Sequence, residues 1–335
     1  MEIFPISCES LGTRSFAHFV MTDDINILID PSVSLAPVRF QLLPHPLEVA
    51  ISWLSRQTLL DLIDLTDVLI QTHYHGDHFT LGERRIYEFT DRNTFNRIYS
   101  SKLQILAKDP EKNLNYNQQK RAQWLWKKKD ININIADSKE FQFGDTSVRF
   151  SKAVPHGYDT ERGCVVETLI KDSNFSYLFS SDVSGPATKE AVSFIIENNP
   201  DLIVLDGPST YHPNVLEAEI RASFEGLKEI SDNFPRIFID HHFLRTTDWQ
   251  EILKKEIGKV LPTFSQLRNQ EPLLLEAKRK ELYKEISFPR DFHSKFQYQG
   301  YSIEYFKELL KKQKYDNYWI ELRKDIENNK QTKSN

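Results

Sequence analysis

Cysteine is scarce in this sequence: two in 335 residues, Cys8 and Cys164, far apart and without a CxxC pair. That argues against a disulfide framework or a thiolate zinc site, and it fits a reducing, cytoplasmic setting. Glycine is scarce as well, at 11 residues, and neither GxGxxG nor GxxxxGK[ST] can be read. Phosphate-cradling loops of those two kinds are therefore missing. No apolar run reaches the roughly 18 residues that a membrane-spanning helix needs. The start MEIFPISCES lacks the basic-then-apolar layout of a signal peptide. Basic residues are not in excess, since 43 Lys+Arg against 48 Asp+Glu leave a net charge of −5. Neither nucleic acid nor a membrane surface is advertised as a partner by that balance.

What is present is a chain with 39% hydrophobic content, enough for one large sandwich or two modest domains. Short apolar, β-branched runs fill the first two thirds: INILID (25–30), DVLIQT (67–72), SVRFSKAV (147–154), CVVETLI (164–170), FSYLFSSD (175–182), LIVLD (202–206) and RIFID (236–240). These read as strands, and several are continuous rather than alternating, as expected for strands covered on both faces. Helical patterns fall at roughly 47–64, 115–129, 187–198 and 214–231, the last with Pro213 and Asn214 as start signals. Beyond residue 246 come charged, helix-period segments, WQEILKKEIGKVL, EPLLLEAKRKELYKEI and IEYFKELLKKQKYDNYWIELRKDIE, and then a frayed tail, NNKQTKSN. The expectation is a sandwich of mixed sheets flanked by helices over 1–245 and a helical extension over 246–335. The basic run in WLWKKKD (124–130) reads as a solvated helix end.

Histidine is concentrated. Three of the ten stand in QTHYHGDHFT, directly after a strand. Crowded imidazoles need a common partner, and a borderline-hard divalent cation is the natural one. An extended path through 73–75 would point His73 and His75 the same way, leaving Asp77 and His78 for a second ion or a water. The same context recurs downstream: His156 follows SKAVP, Asp182 ends YLFSS, and His241 and His242 end RIFID. Apolar strands that repeatedly deliver ligand-type residues at their exits define a site.

The order HxHxDH, His, Asp, late His resembles the metallo-β-lactamase superfamily, with Asp30 in LIDPS matching its first-motif aspartate. The stretches SCESLGTRSFAHF, PHGYDTERG, SSDVSGP, LDGPSTYH and IDHHFLR are similar to an archaeal family of predicted metal-dependent hydrolases. That resemblance implies an α/β fold, an αββα sandwich with a metal site at the edge between two sheets. It implies that His73, His75 and His156 hold one ion, that Asp77, His78 and a late histidine hold another, and that Asp182 bridges them. On an alternating strand end only one of His241 and His242 would reach the metal. His241 is preferred, because Arg245 follows it at a spacing that resembles ribonuclease Z, with His242 as the alternative. Arg14, Tyr158, Tyr211 and His212 are candidates to line the pocket, and Asp30 either ends its strand in an Asp-Pro turn or holds a ligand histidine or the motif loop by hydrogen bonds.

Two divalent ions, zinc ahead of iron or manganese, and hydrolysis by a hydroxide between them form the expected chemistry, with Asp77 as a catalytic residue. The expected partner is a small ester, lactone or phosphoester. A nuclease like ribonuclease Z is the second reading, and a di-iron redox or binding relative the third. Net acidity and the lack of a Gly/Pro-rich arm favour the small molecule over nucleic acid.

Overall fold

A computed structural model of the chain describes residues 1–298 and 300–318. The expected tail, and the part of the last helical segment from Trp319 on, lie outside the described residues.

Six strands form the first sheet, in spatial order β1 (Glu2–Cys8), β2 (Phe16–Met21), β3 (Asn26–Ile29), β4 (Val68–Gln71), β5 (Gln104–Ala107) and β6 (Asn132–Ile135). β1 to β3 run antiparallel and β3 to β6 parallel. The second sheet starts with β7 (Glu140–Phe143) and β8 (Thr146–Phe150). After a small ribbon of β9 (Val154–Pro155) and β10 (Cys164–Val165), it continues with β11 (Thr168–Lys171), β12 (Ser176–Phe179), β13 (Leu202–Leu205) and β14 (Ile237–Ile239). Its order is β14-β13-β12-β11-β8-β7, parallel from β12 to β14 and antiparallel elsewhere. Around the sheets lie α1 (Pro46–Leu62), α2 (Arg92–Ile98), α3 (Tyr116–Trp126), α4 (Lys189–Asn198), α5 (Glu217–Asn233), α6 (Trp249–Ile257), α7 (Arg279–Glu285), α8 (Phe292–Tyr298) and α9 (Ile303–Lys312).

Alternation along the strands divides the core into three slabs. Ile27, Ile29, Val68, Ile70 and Leu106 face Val148, Phe150, Ile170, Phe179 and Val204 between the sheets. The opposite faces, Leu28, Leu69 and Ile105, meet α1, α2 and α3. On the other side Leu178, Ile203, Leu205 and Ile237 meet α4, α5 and α6. A strand with apolar partners on both faces cannot alternate with polar residues, so its sequence reads as a continuous apolar run. The fold is thus an αββα sandwich of the metallo-β-lactamase type. The helical extension divides between the flanks. α6 joins the outer layer against α5, while Leu282, Phe292, Phe306 and Leu310 of α7 to α9 pack in the α1 layer.

Helix boundaries differ from expectation in several places: α3 ends at Trp126 rather than at 129, and α9 ends at Lys312, well inside the segment expected to be helical. Residues 271–286 are helical only over α7, because Leu273 and Leu275 are buried in an extended stretch whose Leu273 amide donates to Ser10 O at 2.7 Å. The helix expected from Asn214 starts at Glu217, after a turn in which the Val215 amide donates to His212 O at 3.2 Å.

Candidate metal centre

The parallel strands β4, β12, β13 and β14 all end on one side of the sandwich, and each hands over to a loop that carries an ionisable residue. After β4 the chain runs extended through His73 and His75, then turns so that the amides of His78 and Phe79 donate to His75 O at 3.1 and 2.7 Å. The His73 and His75 ring centroids lie 4.8 Å apart. Asp182 is delivered by a turn in which Ser181 adopts φ 56°, and Asp206 and Asp240 directly follow β13 and β14.

Asp182 sits at the centre. Its Oδ1 lies 3.0 Å from His78 Nε2, and its Oδ2 lies 3.4, 3.5, 3.6 and 4.0 Å from the Nε2 atoms of His241, His73, His242 and His156. Neither oxygen has a hydrogen-bond partner, nor do His73 Nε2 and His156 Nδ1, although all four atoms are buried. Buried polar atoms without partners are costly, and so many of them converging on one point call for a cation. The ligand atoms of His73, His75, His156 and Asp182 lie within 4.8 Å of one another, as do those of Asp77, His78 and His241, and those of Asp182, His241 and His242. His78 Nε2 and His241 Nε2 are 3.2 Å apart. Two nitrogens bonded to one tetrahedral zinc at ~2.0 Å would stand roughly 3.3 Å apart, so the donor set fits the ion.

The far side of the imidazole rings is held as metal-binding histidines usually are, by an acceptor on the other nitrogen. His78 Nδ1 donates to Asp30 Oδ2, His241 Nδ1 to Glu9 Oε2 and His242 Nδ1 to Asp206 Oδ2, each at 2.8 Å. Asp30 also accepts from the Thr72 amide at 2.8 Å and the Thr72 hydroxyl at 2.6 Å, so it ties the motif loop to β3. Asp206 accepts from the amides of Ser184 and Gly185, which fixes the Asp182 turn. Burial alone would depress His78, but the Asp182 and Asp30 carboxylates beside it push it up to about 10. Burial alone would raise Asp182, yet His78, His241 and His242 hold it well below the usual carboxylate range. A cation entering here therefore displaces protons.

The two late histidines do not alternate as a strand end would have them. β14 stops at Ile239, and His241 takes φ 48° at the head of a 3-10 turn, His241–Arg245. Strand alternation no longer applies there, and both rings turn toward Asp182, with centroids 4.5 Å apart. His241 also lies 3.7 Å from Asp77 Oδ2, which groups it with Asp77 and His78. His241→Ala is expected to lose about one metal equivalent. His242→Ala should keep both ions and weaken affinity or activity about 10–100-fold, as loss of an orienting neighbour does. Elemental analysis of the two dialysed variants checks this, and the reverse result would transfer the ligand role.

Above the centre opens a cleft of about 630 Å³, lined in part by His75, Asp77, His156, Tyr211, His212, His242 and Arg245. Tyr211 and His212 are among its lining residues. Arg14 and Tyr158 do not line it. Arg14 donates from Nε and Nη2 to Glu276, at 3.0 and 2.5 Å, and Tyr158 lines a different hollow beside α4 and α5. Arg245 is buried against the cleft, donating to Glu9 Oε1 (2.5 Å), Tyr211 Oη (2.7 Å) and Asp77 Oδ2 (3.3 Å). Gln118, fully buried on α3, places its amide nitrogen 2.8 Å from Arg162 O and 3.1 Å from His75 Nε2, linking two ligand loops.

Sequence reasoning missed Glu9, Asp206, Asp240, Gln118 and the Arg162–Glu219 pair. Asp206 and Asp240 end apolar strands, so the rule that found Asp182 would have found them too. Glu9 follows β1, a strand that was not read.

Imidazoles and carboxylates gathered where the parallel strands of two facing sheets end place the protein in the metallo-β-lactamase fold class. Within that class, the chain belongs to the UPF0282 protein family. It is 38% identical over 293 residues to the member from Korarchaeum cryptofilum, covering 84% of this chain and 94% of that protein. It is 38% identical over 303 residues to the member from Saccharolobus solfataricus (86% and 95% covered) and 39% identical over 299 residues to that from Pyrobaculum calidifontis (85% and 96%). No family model matches the chain. Among solved structures, an isothiocyanate hydrolase from Delia radicum gut bacteria is 17% identical, with a TM-score of 0.48 and coverage of 78% and 96%. The metallo-β-lactamase fold protein YhfI from Bacillus subtilis is 15% identical, with a TM-score of 0.45 and coverage of 78% and 93%. No helix among the described residues is long and apolar enough to cross a membrane.

Proposed function

We propose that the protein is a hydrolase acting on a small ester, lactone or phosphoester with two divalent cations, zinc first, iron or manganese on the same donors. The observation that carries this reading is Asp182, buried among five imidazoles with both oxygens lacking a hydrogen-bond partner. His73, His75 and His156 would hold one ion, Asp77, His78 and His241 the other, and Asp182 would serve both. Cations held there supply a water acidic enough to act near neutral pH, and positive charge for the oxyanion that develops on the substrate.

The chain's own residues do the rest. Asp77, at the cleft and steered by Arg245, accepts a hydrogen bond from the attacking water and sets its direction. The Tyr211 hydroxyl and the His212 ring border the space where a substrate oxygen would sit. Burial, with Arg162 and other cations nearby, keeps His212 below its ordinary value, so it is a neutral donor at pH 7. Asp159, Glu161 and Glu219 share the lining with Arg162 and Arg245, and those carboxylates disfavour a polyanion in the cleft. A small substrate meets no such barrier.

The as-purified protein is expected to carry about two metal equivalents, and a chelator should abolish hydrolysis of whichever ester, lactone or phosphodiester a screen finds. Zinc should restore it, with affinity weakening as pH falls, because His78 must release its proton. A metal-free, folded and fully active preparation would sink the reading. A nuclease stands second, favoured by a hollow between α2 and α3 whose lining includes Arg92, Lys120, Lys127, Lys128 and Lys129.

A further inference from the structure

Away from the metal centre, a hollow of about 670 Å³ opens between α2 and α3. Its rim carries five cations, Arg92, Lys120, Lys127, Lys128 and Lys129, and Phe95 and Trp124 contribute to its lining. No carboxylate is among its lining residues, and none of the five cations makes an ion pair among the described residues. Where two of them do find partners, these are neutral amides: Lys127 donates to Gln123 Oε1 at 2.8 Å and Lys128 to Asn96 Oδ1 at 3.1 Å. Elsewhere on the surface, lysines are matched with acids, as in Lys228–Asp232 and Lys295–Asp291, both at 2.8 Å.

A solvated helix end explains only part of this. Lys127, Lys128 and Lys129 follow the C-terminus of α3, where the helix dipole favours cations. Arg92 is the first residue of α2, where the same dipole disfavours one, and Lys120 lies inside α3. Five like charges around one hollow, in a chain of net charge −5, repel one another. An anion relieves that repulsion. The half-buried Trp124 ring, backed by the buried Phe95, adds a second requirement, for a flat group that can stack. Spread lysines beside one aromatic ring, with no glycine-rich amide cradle, suit a chain of phosphates bearing bases better than one compact phosphate.

We propose that this hollow binds single-stranded nucleic acid, its lysines along the phosphates and the half-buried Trp124 ring against a base. The site is independent of the metal reading, since it shares no residue with the catalytic cleft. It is nevertheless mechanically close to it. Gln118 of the same helix touches His75, and Trp124 lies six residues further on, ~9 Å along the helix axis at 1.5 Å per residue. Arg121 Nη1 donates to Tyr74 O at 3.2 Å and Trp126 Nε1 to Tyr74 Oη at 2.7 Å, so α3 is fastened to the ligand loop along its length.

The test is fluorescence anisotropy of labelled dT20 with the as-purified full chain at 50 and 200 mM salt, the strand checked intact on a gel. With three to five phosphates neutralised, affinity should fall roughly 15- to 130-fold between those salt concentrations, from a slope of about −0.7 per contact. The variant Lys120→Gln/Lys127→Gln/Lys128→Gln should bind at least ~10-fold more weakly at 50 mM and lose about two units of salt slope. These side chains are solvent-facing, so circular dichroism and metal content should stay at the wild-type level. No binding at 50 mM, or equal binding by the triple variant, would overturn the proposal. So would a mononucleotide, or a polyphosphate of matched charge, that binds as tightly as dT20.

Discussion

Asp182→Ala should strip the protein of both ions, because its carboxylate groups with His73, His75 and His156 and also stands 3.0 and 3.4 Å from His78 and His241 of the second proposed site. Its two oxygens stand within 4.0 Å of five imidazoles, whereas each imidazole faces that carboxylate from one side only. Loss of an orienting partner outside the ligand set costs about 10–100-fold in metal affinity or activity. Loss of a ligand shared by two ions should exceed that, so hydrolysis is expected to fall by well over 100-fold and metal content to below one equivalent. Asp206→Asn serves as the internal scale: it leaves the ligands in place and only loosens His242 and the Asp182 turn, so its effect should stay within ~10–100-fold. His212→Ala, at the cleft wall, should keep both ions. Near-wild-type metal in dialysed Asp182→Ala, with circular dichroism unchanged, would mean that the carboxylate is not shared.

The sequence showed this site because its donors follow strands whose apolar runs are hard to mistake. HYHGDH after DVLIQT, His156 after SKAVP and Asp182 after YLFSS each combine a strand and an ionisable exit in one contiguous string. What was illegible depends on backbone dihedrals or distant partners. Only φ 48° at His241 brings both late histidines inward, and nothing local in IDHHFLR announces that the strand has already ended. Glu9 reaches His241 across 232 positions of sequence. It could be placed only once β1 is known to lie beside β2. Arg14 looked like a pocket residue until Glu276, 262 positions away, claimed its guanidinium. Strands covered on both faces carry unbroken apolar runs and most were readable, whereas β6 and β7, at the sheet edges, alternate with polar residues and were missed, as were β1 and the interior β2 and β5, whose runs are broken by His18 or only four residues long.

The expected helical extension over 246–335 is tied to the sandwich, among the described residues, by a buried guanidinium. Arg279, at the start of α7, is fully buried. It donates to Glu48 Oε1 from Nε (2.9 Å) and to Glu48 Oε2 from Nη2 (2.7 Å), and two further hydrogens go to Leu42 O and Ala36 O, each at 3.0 Å. Glu48 in turn accepts from the His45 amide at 2.8 Å in the capping box of α1, so the pair locks the extension onto the helix that covers the first sheet. Removing one partner of a buried pair leaves the other charge uncompensated, at a cost of about 3–5 kcal/mol. Arg279→Met is therefore expected to lose that much stability, a fall in Tm on the order of 10 °C. Burial already raises the Glu48 carboxyl even with Arg279 beside it, and without the cation it rises further. A carboxyl whose folded pKa is raised binds more protons folded than unfolded, so the variant should lose further stability as pH rises through the range above ~4.5. Adding Glu48→Leu removes the stranded carboxyl and should recover part of the loss, together with that added pH dependence. Denaturant titrations at pH 5 and pH 8 measure both effects. An Arg279→Met protein within ~1 kcal/mol of wild type at both pH values would show that the extension is held by its apolar face, Leu282, Phe292 and Phe306, rather than by this pair.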